Sequence, residues 1–265
     1  MHKSRVKEKI RGKEPIFCAK TNLTDPSAVE IFGYLGFDCV WIDMEHGPTD
    51  YEKVRNQVRA AKMTGMDSMI RVPRGSYSDY IRPLEMDATG LMVPHVMTPE
   101  EAAQAVKWSF FSPKGLRPID SGNSDGPFCM RPIADYVRYC NEEKFLVVQI
   151  EDREAVECAD RITDVKGIDI FFIGTLDLSH SYGKPGDFNH PEFASGQKKI
   201  IDILKKKGKA WGMPCGLEEI PQYYSQGCLF FPVGSDTSTL ASAFREKIKS
   251  IEKMGFAFKN PPGDS

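Results

Sequence analysis

Five carboxylates, an arginine and a histidine stand where apolar runs of this 265-residue chain break off. Asp43, Glu45 and His46 follow Cys39–Ile42, and Gly47-Pro48 then stops the run. Arg71 sits between Ile70 and Val72. Gln149 and Glu151 close Phe145–Ile150, Asp177 follows Ile168–Ile173 through Gly174-Thr175-Leu176, and Asp236 follows Cys228–Val233. A buried strand that ends in polar residues places them at the rim of a core. Glu151 and Asp177, from neighbouring strands, would converge with water on one divalent cation. An all-oxygen shell with few protein ligands suits Mg2+ or Mn2+, with Co2+ as a third candidate, and leaves positions open for substrate oxygens. The structural alternative is that Glu151 is the acidic first turn of a helix and Asp177 an N-cap before Leu178.

Arg71 on an apolar strand is costly unless an anion meets it, whether Asp43, Glu45 or a substrate enolate. His46 has Asp43 three residues earlier to fix its tautomer, which makes it a candidate general base near neutral pH. The backbone N–H groups of Gly174, Thr175 and Leu176 suit a substrate carboxylate, although any strand-to-helix turn offers some. His95, His180 and His190 lack comparable partners and read as structural. Lys20, ending the first apolar run, is the rival nucleophile: a buried lysine would form a Schiff base, whereas a rim lysine is normally solvated.

The elements that must position these groups alternate regularly. Strands are expected at Ile16–Lys20, Asp38–Ile42, Ser68–Val72, Gly90–Val93, Phe145–Ile150, Ile168–Ile173, Lys209–Met213 and Cys228–Val233. Between and after them, helical patterns run over Pro26–Tyr34, Tyr51–Thr64, Tyr77–Asp87, Pro99–Phe110, Arg131–Asn141, Arg153–Val165, Pro191–Lys207, Leu217–Ser225 and Thr237–Met254. Thr24-Asp25-Pro26, Thr98-Pro99-Glu100 and His190-Pro191-Glu192 are helix starts. Eight strands alternating with helices point to the α/β class, a (β/α)8 TIM barrel in a single domain over residues 1–265. An open doubly wound sheet fits less well, since no Gly-rich dinucleotide fingerprint opens a helix. The Ser112–Met130 connection, rich in Gly, Pro, Ser and Asp, is expected to be a functional loop over the barrel mouth. The tail Phe256–Ser265 has no helical continuation.

Bulk properties narrow the function. A formal net charge of -2, with 41% hydrophobic and 27% charged residues, gives no electrostatic case for nucleic acid or an acidic membrane surface. No apolar run approaches the roughly 18 residues of a membrane span, and no apolar stretch follows the basic start as in a secretory signal. The seven cysteines are scattered without a CxxC, which fits reduced thiols in a cytoplasmic protein.

Phe37–Pro48, Arg71-Val72-Pro73, Val148–Glu151, Ile173–Ser179 and Val233–Asp236 together resemble the HpcH/HpaI aldolase family, in order over roughly Glu14 to Lys253. The resemblance implies a metal-dependent, pyruvate-specific class II aldolase. Such an enzyme reversibly cleaves a 4-hydroxy-2-oxo acid into pyruvate and an aldehyde through a metal-bound pyruvate enolate. It also implies Glu151 and Asp177 as metal ligands, His46 as base with Asp43 behind it, and Arg71 as the enolate-stabilising arginine. Gln149 would be a site glutamine and Gly174, Thr175 and Leu176 the pyruvate carboxylate cradle. Family members are typically hexamers that exchange the last helix, here about 237–254. Two segments depart from the family pattern: Thr175 stands where a proline is usual, and Pro118 follows Arg117 where a glycine is usual. The other readings are a non-catalytic oxo-acid-binding protein and a CoA-thioester lyase related to citrate lyase subunits.

Overall fold

Each apolar run pairs with the next in parallel, and the last returns to the first, so the sheet closes on itself. In this computed structural model, which describes residues 3–258, the strands are β1 Ile16–Thr21, β2 Cys39–Asp43, β3 Asp67–Arg71, β4 Gly90–Val93, β5 Phe145–Ile150, β6 Ile170–Ile173, β7 Trp211–Gly212 and β8 Cys228–Ser235. The helices are α1 Arg5–Gly12, α2 Pro26–Tyr34, α3 Tyr51–Met63, α4 Tyr77–Glu85, α5 Pro99–Ser109, α6 Ile133–Glu143, α7 Arg153–Asp164, α8 Thr175–Ser181, α9 Pro191–Lys206, α10 Ile220–Ser225 and α11 Asp236–Glu252. The architecture is the expected (β/α)8 barrel. Among the described residues no helix is long and apolar enough to cross a membrane.

Strands of a closed parallel barrel bury both faces, so their runs are continuously apolar rather than alternating. One face, with Val40, Ile70, Leu91, Val148 and Phe171, packs under the helices. The other, with Cys18, Trp41, Met69, Met92, Val147 and Phe172, fills the barrel. Register then sets the chemistry at the C-terminal mouth: Asp43 and Arg71 are direct partners across β2 and β3.

Two helices are absent from the sequence-based expectation. The short α8 carries Asp177. The other, α1, closes the N-terminal end of the barrel, where Val6 is fully buried and Ile10 packs against the interior cluster. Acids next to strand starts fasten it: Asp67 Oδ2 accepts from the Ser4 hydroxyl at 2.7 Å and the Val6 N–H at 2.9 Å, Lys7 meets Asp169 at 2.5 Å, and Lys9 meets Asp38 at 2.7 Å. The basic start of the chain is therefore a plug, its cations matched to carboxylates more than twenty residues away in sequence.

The Ser112–Met130 connection does not lie over the mouth. Asp125, buried, forms ion pairs with Lys144 at 2.7 Å and Arg117 at 2.8 Å and accepts from the Tyr136 hydroxyl at 2.9 Å. Lys144 immediately precedes β5 and also donates to the Ala88 carbonyl just ahead of β4. A buried carboxylate needs cations, and these stand at strand starts, so the loop is pulled to the N-terminal end. Gly122–Ser124 and Phe128 then flank Arg55 of α3 and Arg82 and Glu85 of α4 on the outer face.

Helix α11 stands apart. Only Asp236 is buried in it, and Leu240 and Phe244 are 51% and 56% exposed. Asp236 pins its start to the β1 exit, accepting from the Thr21 hydroxyl at 2.7 Å and from the N–H groups of Asn22 and Leu23 at 2.9 and 3.0 Å. Phe256–Phe258 is exposed and non-helical, and the rest of the Phe256–Ser265 tail lies outside the described residues.

Removing Asp125 would strand two buried cations. Asp125→Ala should cost about 3–5 kcal/mol of stability, read as a lowered urea midpoint; an unchanged midpoint would contradict this account of the loop.

Candidate active site

The C-terminal mouth is built on one buried ion pair. Arg71 donates through Nε to Asp43 Oδ1 at 3.0 Å and through Nη2 to Oδ2 at 2.5 Å. This two-point fork fixes the guanidinium plane. Its Nη1 lies 3.0 Å from Glu45 Oε2, an ion pair without hydrogen-bond alignment. Its Cζ stands 5.0 Å over the Trp41 ring. Lys20 at the end of β1 reaches Asp43 Oδ2 at 2.8 Å. Burial would raise the Asp43 carboxyl, but Arg71 and Lys20 outweigh it and hold the group well below the usual carboxylate range.

Those contacts change the expected part of Asp43. It does not touch the His46 ring; Oδ1 accepts the backbone N–H groups of Glu45 at 3.1 Å and His46 at 3.3 Å. Gly47 makes this tight turn feasible, because a Cβ there would sit 2.2 Å from the Asp43 carbonyl oxygen. The His46 imidazole is 63% exposed, and its nearest carboxylate is Glu45, with Oε2 3.7 Å from Nε2. Tautomer control by Asp43 is thus corrected: both Asp43 oxygens are occupied by cations and turn amides.

Opposite this cluster, Glu151 is fully buried at the exit of β5. Its Oε1 accepts the His95 N–H at 2.9 Å and its Oε2 the Gln149 side-chain amide at 2.8 Å. Room for the carboxylate comes from Gly174, where a Cβ would fall 2.0 Å from Oε2. Burial pushes the Glu151 carboxyl up to about 7; the His95 N–H and the His95 and Arg71 charges oppose this, while Asp177 adds to it. Asp177 is half-buried in the first turn of α8, beyond Gly174 and Thr175. The first intrahelical bond of α8 runs from Leu178 to Gly174, so the amides of Thr175, Leu176 and Asp177 have no intrahelical acceptor. The Leu176 side chain is exposed and can offer the site only its backbone.

His95, read from sequence as structural, belongs to this cluster. Nδ1 lies 3.0 Å from Asp152 Oδ2 and Nε2 3.7 Å from Glu45 Oε1. Burial disfavours its cation, but Asp152, Glu151 and Glu45 together raise its pKa. A left-handed backbone at His95, φ 51°, aims its N–H at Glu151. The available signal was its place at a strand exit, the same signal that picked out Glu151.

The donor set fits a hard divalent cation. The Asp177 charge adds to the burial that raises Glu151 to about 7. Gln149 Oε1 is buried without a hydrogen-bond donor. Among the described residues no group of three or more His, Cys, Asp and Glu is arranged to bind a metal. A cation here would have at most Glu151 and Asp177 as carboxylate ligands, with oxygens of water or substrate for the rest, as Mg2+ and Mn2+ accept.

The same fold and sequence pattern occur in characterised proteins. The profile of the HpcH/HpaI aldolase/citrate lyase family matches residues 21–243. A 5-keto-4-deoxy-D-glucarate aldolase of Klebsiella pneumoniae is 32% identical over 238 residues, covering 89% of this chain and 90% of that one. A hydroxypyruvate/pyruvate aldolase of Pseudomonas aeruginosa is 31% identical over 244 residues, covering 92% and 91%. Among solved structures, an HpcH/HpaI aldolase/citrate lyase family protein of Burkholderia cenocepacia J2315 superposes with a TM-score of 0.88 at 32% identity, over 94% of this chain and 99% of that one. This chain belongs to the HpcH/HpaI aldolase/citrate lyase family.

Proposed function

We propose that this protein is a divalent-metal-dependent aldolase that reversibly cleaves a 4-hydroxy-2-oxo acid into pyruvate and an aldehyde. The observation that carries the reading is Glu151, fully buried and raised further by the charge of Asp177, which a bound cation would relieve. Glu151 and Asp177 would hold that ion. When bound it supplies Lewis-acid polarisation of the 2-oxo group, worth several kcal/mol of barrier.

The remaining work belongs to side chains and amides of the chain. The amides of Gly174, Thr175 and Leu176 receive the substrate carboxylate, and Gln149 lines the same wall. Arg71 donates to the 2-oxo oxygen as negative charge develops there; because Asp43 already fixes its plane, little reorganisation is needed at that moment. His46 takes the proton from the 4-hydroxyl, and its exposed ring with Glu45 alongside can pass that proton to solvent. The C3–C4 bond then breaks, its electrons move toward the 2-oxo oxygen, and the aldehyde leaves. Protonation of C3 yields pyruvate. Lys20 is a poor Schiff-base nucleophile in this arrangement, since it is engaged by Asp43 rather than held in an apolar or cation-rich pocket.

We also propose that α11 is exchanged between subunits of a homo-oligomer. Leu240 and Phe244 are uncovered on it, and Ile31, Tyr34 and Leu35 of and just after α2 are 58%, 80% and 71% exposed. Their exposure supports such an interface. The double substitution Leu240→Glu/Phe244→Glu should reduce the mass seen by light scattering to that of a single chain; an unchanged mass would refute exchange through this helix.

Two outcomes test the site. In an assay of pyruvate release with Mn2+ over a panel of 4-hydroxy-2-oxo acids, Glu151→Gln should lower kcat by about a hundredfold or more. Gly174→Ala, which displaces Glu151 Oε2, should act in the same direction. Wild-type rates in both variants would overturn the assignment. The second outcome is pH dependence. With its carboxyl raised to about 7, ion-free Glu151 binds a proton more tightly folded than unfolded. Its contribution to stability therefore falls as pH rises from the ordinary carboxylate range to about 7. A cation must displace that proton, so Mn2+ affinity by calorimetry should weaken about tenfold per pH unit below 7 and level off above it. A flat affinity from pH 5.5 to 8 would show that Glu151 is not a ligand.

A further inference from the structure

Lys20 is the cation of the mouth for which that mechanism has no use. Arg71 is held by Asp43 and Glu45 and serves the 2-oxo oxygen in that mechanism, and Arg74, after β3, is turned to Glu101 at 3.0 Å. Lys20 instead bends inward from the end of β1, its side chain 25% exposed, with Nζ 5.0 Å from the centre of the Trp41 ring. A rim lysine ordinarily extends its ammonium to solvent. Here it adds to a carboxylate that Arg71 already neutralises through both oxygens. With Glu45 counted, the cluster of Asp43, Glu45, Arg71 and Lys20 balances in charge, and what Lys20 can still offer is its remaining donors. An ammonium has three donors, and Asp43 takes one of them from Lys20.

The position of this charge matters as much as its sign. In a closed barrel of eight strands β1 lies opposite β5, so Lys20 faces the mouth from across Glu151. If the 2-oxo acid end of the substrate sits by β5 and β6, as the aldolase reading on which this inference rests requires, Lys20 meets the other end. We infer that Lys20 is a specificity-determining residue: its ammonium binds an anionic group, carboxylate or phosphate, on the aldehyde half of the substrate. The charge there is otherwise unfavourable for an anion, because Asp43, Glu45, Glu151, Asp152 and Asp177 all open on the same mouth.

The condensation direction tests this directly. A bond forms between pyruvate C3 and the aldehyde carbon, and the proton lost from C3 is balanced by the one gained at the new hydroxyl. Matched acceptors separate charge from shape: succinic semialdehyde against butanal for a carboxylate, and glyceraldehyde 3-phosphate against glyceraldehyde for a phosphate. The wild type with Mn2+ should favour the anionic member of at least one pair. Lys20→Met should lower that anionic-to-neutral ratio of kcat/KM by about ten- to a hundredfold, chiefly through KM, and Lys20→Arg should restore part of it. A ratio unchanged in Lys20→Met, or a wild type that favours both neutral acceptors, would overturn the inference. Equal losses on both acceptors would reduce Lys20 to a support for Asp43 and overturn it as well. Exchange of pyruvate C3 protons with deuterated water, followed by NMR without any aldehyde, reports the pyruvate half alone. Its absence in the wild type would count against the aldolase reading itself.

Discussion

A carboxylate sealed from water must find cations, hydrogen bonds or a proton, and Glu151 is supplied with less of these than its burial demands. One oxygen takes a backbone N–H, the other a side-chain amide, and the His95 and Arg71 charges that favour its anion are opposed by Asp177 and outweighed by burial. Several local features exist to keep it there. His95 adopts a left-handed backbone so that its N–H points at Glu151, and Gly174 omits the Cβ that would collide with it. A protein that only needed a filled core would have placed an apolar side chain at the end of β5. The cation proposed for this site would relieve that carboxylate.

The charge-compensated acids of the same molecule make the contrast plain. At the N-terminal end Asp125 is met by Arg117, Lys144 and Tyr136, and the Ser112–Met130 loop is held against the barrel as a result. At the mouth Asp43 is met by Arg71 and Lys20, which removes it from acid–base chemistry and turns it into a fixed mount for the guanidinium. Both acids bind more positive charge than they carry. Stability against the N-terminal side and chemistry at the C-terminal side follow the division of labour usual in such barrels.

Much of this was legible in the sequence because a closed parallel barrel leaves a simple trace: apolar runs with polar residues at one end. That trace places Asp43, Arg71, Gln149, Glu151 and the Gly174–Asp177 turn at strand exits, and strand register explains why Asp43 and Arg71 meet. What it lacked was direction. His46 and Asp43 are near in sequence, yet the Gly47 turn sends the ring outward and gives Asp43 only its backbone N–H. His95 carries no such local sign, because its partners, Asp152 and Glu45, lie more than forty residues away in either direction. The Ser112–Met130 loop looked functional from composition, but its course is decided by a single buried acid whose cation partner Lys144 belongs to the next helix boundary. α1 was missed since its apolar face is short and its tertiary ion pairs, invisible in a pattern, do the fastening.

The central claim is that Glu151 and Asp177 grip one cation that faces a 2-oxo acid. Anomalous diffraction from crystals grown with Mn2+ and oxamate tests it most directly. The account predicts a single manganese peak bonded to oxygens of both carboxylates, with oxamate on its open side and Arg71 within reach. No peak there, or manganese bound elsewhere while Glu151 keeps only its His95 and Gln149 hydrogen bonds, would contradict it.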